Sequence, residues 1–248
     1  MIDYATTLLE QDELFGELIR DADPATPVPT CPGWTLQQLF RHLGRGHRWA
    51  AQIVRDKLDA PLDPRAVANG KPPADQAGAL DWLRGSGQAV VDAVAATGPD
   101  VPVWTFLGPR PAAWWLPRRL HEATVHRADA AIALGAEYEL SPELAADGIS
   151  EWLTLVVTEV GSSVRTGPID VGASLHVHAT DFDGEWVLRA EASGLTLETG
   201  HHKSTAAARG RAADLLLALT RRRPADAVDV RILGATEVWT HWLAGTPF

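Results

Sequence analysis

Apolar residues first recur every three to four positions along this chain and then, past about Gly161, at every second position. The first rhythm predicts helices and the second strands. In MIDYATTLLEQDELFGELIRDAD, Leu8, Asp12, Phe15, Leu18 and Ile19 recur at helical spacing, and the acidic residues mostly point outward. PATPVPTCPGW is proline-rich and predicts an extended connection. Thr35 opens a second helix, TLQQLFRHLGRGHRWAAQIVRDKL, with Gln38 placed to complete a capping box. Leu36, Leu39, Phe40 and Leu43 form its apolar face. A third helix in AGALDWLRGSGQAVVDAVAATG and a fourth through RRLHEATVHRADAAIALG both stop at glycine. Pro117 either starts the fourth or kinks an earlier turn. Ser141-Pro142-Glu143 opens a fifth, which continues through ISEWLTLVVTEV.

Beyond it, SLHVHAT and EWVLRAEAS alternate and are joined by DFDG, a hairpin signal. GLTLETG predicts a third strand, STAAARGRAADLLLALTRR a helix, VDVRILG a fourth strand and TEVWTHWLAG a closing helix. The expected organisation is a bundle of four to five helices over residues 1–162, followed by a small α+β domain over 163–248.

Charge and composition narrow the partners. A net charge of −10 argues against electrostatic binding to nucleic acid or to an anionic membrane. No apolar run approaches the roughly 18 residues of a membrane span, and the acidic start lacks the features of a secretory signal. Cys31 is the only cysteine, so no internal disulfide can form, and a cytoplasmic location is expected. Small molecules are the expected partners, and the chain is expected to be a monomer or dimer.

The segment with chemistry in it is HEATVHRAD, His121 to Asp129. It has the look of a zinc-protease H-E-x-x-H motif with one residue too many. Histidines five apart on a helix point about 140° away from each other, so His121 and His126 do not close on one ion. Glu122 and His126 stand at i and i+4 and share a face. Asp129 follows near the same stripe, where it can orient the His126 ring. Two ligands hold a metal poorly. His42, at the edge of the apolar face of the Thr35 helix, offers a third.

VPTCPGWTLQQLFRHLGRGHRW together with RRLHEATVHRADA closely resembles the mycothiol-dependent maleylpyruvate isomerase family. The resemblance covers both halves of the chain. It implies a DinB-like helical bundle that carries a metal site, and a sterol-carrier-like C-terminal domain. It implies metal ligation by His42, Glu122 and His126, with Asp129 behind them, and mycothiol as the thiol cosubstrate. GRAADLLLALTRRRP is similar to the family's arginine-bearing helix end. The gap to the proline carries the catalytic arginine onto Arg222, within the run Arg221 to Arg223. Here the chain departs from the family, with Thr220-Arg221 where many members have Trp-Gly.

Two imidazoles and a carboxylate leave zinc one open position, as in catalytic sites. The same set suits iron(II); zinc is preferred because an incoming thiol suits a borderline-soft ion. A free thiol of pKa about 8.5 becomes largely thiolate on coordination. In the family reaction this thiolate adds to a cis double bond, permits rotation and leaves to give the trans isomer, with Arg222 clamping a carboxylate and steadying the enolate. With an electrophile that does not eliminate, the same apparatus is a thiol S-transferase. Two rivals share the ligand set: a hydrolase with metal-activated water, and a metal-binding regulatory module without catalysis. Among other candidates, His176 and His178 share a strand face without an acidic neighbour in sequence and read as solvated, as do His201 and His202 in a loop. Cys31 reads as a buried structural thiol, and Arg118, Arg119 and Arg127 as solvated helix arginines, one of which is a candidate to meet the cofactor. Trp34 and Trp49 flank the His42 helix, where they pack as core or wall a pocket.

Overall fold

The computed structural model describes residues 1–162 and 168–246. The chain divides into two compact units, Met1–Tyr138 and Glu139–Phe248.

The first unit is a helical bundle built from α1 (Tyr4–Ile19), α2 (Leu36–Arg55), α3 (Gln76–Thr97) and α4 (Trp115–Leu134). Between α3 and α4 lie two antiparallel two-residue strands, β1 (Pro102–Val103) and β2 (Arg110–Pro111), and a 3-10 turn over Ala112–Trp114. α2 packs along α3 and α1 along α4, and α2 also meets α4. Leu8, Phe15, Leu39, Leu43, Val90 and Leu120 fill the space between them. The capping box at the start of α2 forms as expected. Gln38 N–H donates to Thr35 Oγ1 at 3.4 Å, and Gln38 Oε1 accepts from Thr35 N–H at 2.8 Å. Pro117 is the third residue of α4, where a missing N–H costs no helical hydrogen bond. At the other end Gly135 closes α4 with φ 63°, a left-handed stop.

α4 is the unusual helix. It is buried nearly all the way round, and Arg118, Arg119, His121, Thr124, His126, Arg127 and Asp129 are buried with it. The three arginines expected in solvent are therefore interior groups. Each finds partners there: Arg118 on Glu122, Arg119 on His47, Arg127 on Gln11 and over the Tyr138 ring. Burying a charge is costly unless it is paired, so a helix of this kind must be built around a polar network.

The second unit holds α5 (Pro142–Ser162), a five-stranded sheet, α6 (Ala212–Leu219) and α7 (Thr236–Gly245). The strands are β3 (Ser174–Ala179), β4 (Glu185–Glu191), β5 (Gly194–Thr199), β6 (Ala206–Gly210) and β7 (Arg231–Gly234), in spatial order β5-β4-β3-β6-β7. Among these five strands β3 and β6 pair in parallel and the other neighbours antiparallel.

Two expectations change. The fifth helix was placed in the bundle, with a boundary at residue 162. Instead Ile149, Leu153 and Val156 of α5 share one core with Leu175, Val177, Leu188 and Trp242. Trp186 Nε1 also donates to Ser150 Oγ at 2.9 Å, tying the sheet to α5. The boundary falls at 138/139. Second, Ala206–Gly210, expected to start a helix, is the strand β6. Alanine favours helix when nothing else decides, but this segment is bonded on both sides, to β3 and β7. Its alternation, with Ala206, Ala208 and Gly210 inward, serves the sheet.

Candidate metal centre

The site lies within the bundle, on facing stretches of α2 and α4. His42 Nε2 stands 3.8 Å from Glu122 Oε2, and His126 Nε2 stands 3.3 Å from the same oxygen. The two imidazoles meet edge to face, with centroids 5.0 Å apart. The ligand atoms of His42, Glu122 and His126 all lie within 4.8 Å of one another. Sequence spacing brought Glu122 and His126 together; the α2–α4 packing supplies His42. His121 is buried but belongs to none of the ligand groups among the described residues.

Asp129 sits behind His126 and is fully buried. Its Oδ2 is 2.8 Å from His126 Nδ1, leaving Nε2 to face Glu122 and His42. The carboxylate is itself held. Thr30 Oγ1 donates to its Oδ1 at 2.6 Å, and the Cys31 thiol lies 3.5 Å from Oδ2. Thr30 and Cys31 reach it from a turn closed by Trp34 N–H onto the Cys31 carbonyl, with Pro32 second and Gly33 third at φ 82°. A type II turn asks for that pair of residues in that order. Cys31 is half-buried and serves as a support to Asp129.

On the other side, Arg118 Nη2 donates to Glu122 Oε1 at 2.6 Å. Burial pushes the Glu122 carboxyl up, but Arg118 first, and then His126 and His42, hold it well below the usual carboxylate range. It is therefore held as a carboxylate. Burial lowers the His42 ring below its usual pKa, against the pull of Glu122. Burial works against a charged His126 as well, yet Asp129, Cys31 and Glu122 outweigh it and raise the metal-free ring to about 10.

A cavity of about 300 Å³ opens beside the triad, lined by His42 and Glu122, by the aromatic rings of Trp49, Phe106 and Trp115, and by Arg45, Arg118 and Arg119. Trp49 thus walls the pocket, while Trp34 stands 4.9 Å from the His42 ring. Gly46 leaves room for this group: a Cβ on it would lie 2.6 Å from Arg119 Nη2, and the guanidinium would have to shift. Sequence reading put Arg118 and Arg119 in solvent and missed Arg45 and the buried relay that fixes Arg119. Arg119 Nε donates to His47 Nδ1 at 3.1 Å, so the His47 proton sits on Nε2, 2.9 Å from Asp12 Oδ1. The i,i+4 spacing of Arg118 and Glu122 was the one signal available for the first of them.

His47 carries a pH prediction. Burial, with Arg119, outweighs Asp12 and holds the ring below its usual 6.5. The unfolded chain therefore takes up this proton at higher pH than the folded one, and stability is lost as pH falls below about 6.5. Thermal melts between pH 5 and 7.5 should show a steeper acid decline for wild type than for His47→Gln. Equal slopes would remove His47 from the acid response.

A family profile described as the mycothiol maleylpyruvate isomerase N-terminal domain matches residues 8–131. The chain belongs to this family. A second profile, described as the MDMPI C-terminal domain, matches residues 143–241, so the family's two domains account for both units. Among solved structures, a mycothiol-dependent maleylpyruvate isomerase is similar with a TM-score of 0.58 at 16% identity, over 89% of each chain. A histidine-to-alanine variant of such an isomerase gives 0.61 at 14% identity, again over 89% of each. At these identities the likeness speaks for the fold: a helical domain followed by an α+β domain. A search of curated proteins found no match to the chain.

The remaining expected site residue is Arg222, in the second unit. Arg221 is exposed, but Arg222 is buried, its Nη1 donating to the Thr220 carbonyl at 2.8 Å and its N–H to that of Leu217 at 2.8 Å.

Proposed function

We propose that this protein is a metal-dependent, mycothiol-using enzyme that isomerises a small unsaturated carboxylic acid of the maleylpyruvate type, or transfers the thiol to a related electrophile. The observation that carries the reading is the convergence of His42, Glu122 and His126, two of which, His42 and Glu122, line a cavity rimmed by arginines. Two imidazoles and one ionised carboxylate are the donor set of a catalytic, open zinc site, so the residues fit the group. When bound, a zinc-class ion supplies the Lewis acidity that favours thiolate over thiol at neutral pH.

The chain's own residues do the rest. Asp129 fixes the face that His126 presents, and Arg118 fixes Glu122 and keeps it ionised. Arg45, Arg118 and Arg119 place positive charge on the cavity wall, where a substrate carboxylate docks. Trp49, Phe106 and Trp115 exclude water, which strengthens those interactions. Addition of the thiolate sulfur forms a C–S bond and sends the π pair into the conjugated carbonyl as an enolate. Rotation about the resulting single bond precedes collapse of the enolate, which breaks the C–S bond and returns the thiolate, so the isomerisation needs no oxidant or reductant. The resemblance of its helix end to the family's arginine-bearing segment supports Arg222 as the group that steadies the enolate.

Turnover of a cis-unsaturated keto acid, followed by loss of the cis isomer, should require both mycothiol and metal. Activity that persists without thiol, or cleavage of esters or amides in its absence, would move the reading to a metal-dependent hydrolase.

A further inference from the structure

A second group of metal-ligating side chains stands in the second unit. His176 and His178 project from one face of β3, while Leu175, Val177 and Ala179 occupy the opposite, core face. Glu185 pairs directly with His178 in the antiparallel register of β3 and β4. His201 follows β5, the other neighbour of β4, and Gly200 N–H donates to the Glu185 carbonyl at 3.1 Å, holding that segment beside the hairpin. Three imidazoles thus surround one carboxylate. His176 Nε2 and His201 Nδ1 lie 2.9 and 2.8 Å from Glu185 Oε2, and His178 Nδ1 lies 3.5 Å from Oε1. The three rings are 5.3–6.2 Å apart, centroid to centroid.

We infer that His176, His178, Glu185 and His201 form a second divalent metal site of the zinc class. Their ligand atoms all lie within 4.8 Å of one another. Three histidines and a carboxylate match the nitrogen and oxygen preferences of zinc and its late first-row neighbours, and exclude calcium and magnesium as the favoured ions. Four protein ligands close a tetrahedral shell, which is the pattern of structural rather than catalytic sites. The ion joins β3, β4 and the segment after β5, whose His201 is otherwise the exposed member of the group. The sequence hid the site because Glu185 lies across a hairpin from the histidines, and only the strand register makes it a neighbour. A purely hydrogen-bonded cluster, with each imidazole donating to Glu185, is the competing account. It predicts no bound ion.

Zinc titration of the untagged, metal-stripped full chain separates the two. About two ions per chain are expected for wild type. His178→Ala/His201→Ala leaves two of the four ligands and should bind one fewer ion, while His42→Ala should lose the other. Zinc should raise the melting temperature of His42→Ala and leave that of His42→Ala/His178→Ala/His201→Ala unmoved. Unchanged circular dichroism and metal-free melting of the double variant, in which His201 is a surface residue, exclude a folding defect. A single wild-type ion that disappears with His42→Ala overturns the second site. So does a stoichiometry that the double variant does not alter. Loss of an ion in the double variant but not in His42→Ala would instead fault the bundle site and leave this one standing.

Discussion

His126→Ala should empty the bundle site of metal and take turnover to background. His126 Nε2 faces Glu122 and His42, and its removal leaves only two ligands. Occupancy measured by elemental analysis should fall further than in Asp129→Asn, where loss of the orienting carboxylate should cost about 10–100-fold in metal affinity. His126→Ala also deprives Glu122 and Asp129 of the ring between them, and breaking a buried charge pair costs about 3–5 kcal/mol. A misfolded protein would lose metal too, so His42→Ala is the necessary companion. His42 is half-buried, its removal disturbs the interior less, and it should lose the same ion with a near-normal melt. His121→Ala should keep the ion. Full occupancy in both His42→Ala and His126→Ala would remove the triad from the account.

Arg222→Ala should lower turnover by about 10²–10³, the loss typical of one preorganised donor to a developing oxyanion. Arg221→Ala and Arg223→Ala should stay near wild type. The run offers three candidates, and burial separates them: Arg222 is interior, Arg221 exposed and Arg223 half-buried. A structural role alone would also make Arg222 sensitive, since its guanidinium is hydrogen-bonded to the Thr220 carbonyl. The two roles part on kinetics measured well below the melting temperature. A structural role lowers stability with turnover per folded molecule kept, whereas a catalytic one lowers kcat in folded, metal-loaded protein. Arg222→Lys should not rescue kcat, because an ammonium cannot reproduce the planar fork. Equal, small effects at all three positions would take Arg222 out of the reaction.

How much of this was legible beforehand follows from the range over which each signal acts. The four bundle helices, the capping box and the Gly135 stop are local matters, and spacing and capping chemistry disclose them. Glu122, His126 and Asp129 share one helix, so their common face could be computed from its pitch. His42 was one candidate by its helix position, and the resemblance singled it out. Arg118, Arg119 and Arg127 were misread because α4 sits inside polar surroundings, which makes its periodicity look like that of a solvated helix. α5 was misplaced because an apolar face does not say which core it enters. β6 was lost to alanine's helix preference, and Glu185 to a register that no linear reading displays.

The central claim is that a metal held by His42, Glu122 and His126 receives the mycothiol sulfur. Cobalt-substituted protein titrated with mycothiol tests it most directly, with His178→Ala/His201→Ala as the background so that only the bundle site reports. A sulfur-to-cobalt charge-transfer band should grow in and saturate in that background, and should be absent when His126→Ala is added. A spectrum unmoved by saturating mycothiol in a fully cobalt-loaded bundle would contradict the account.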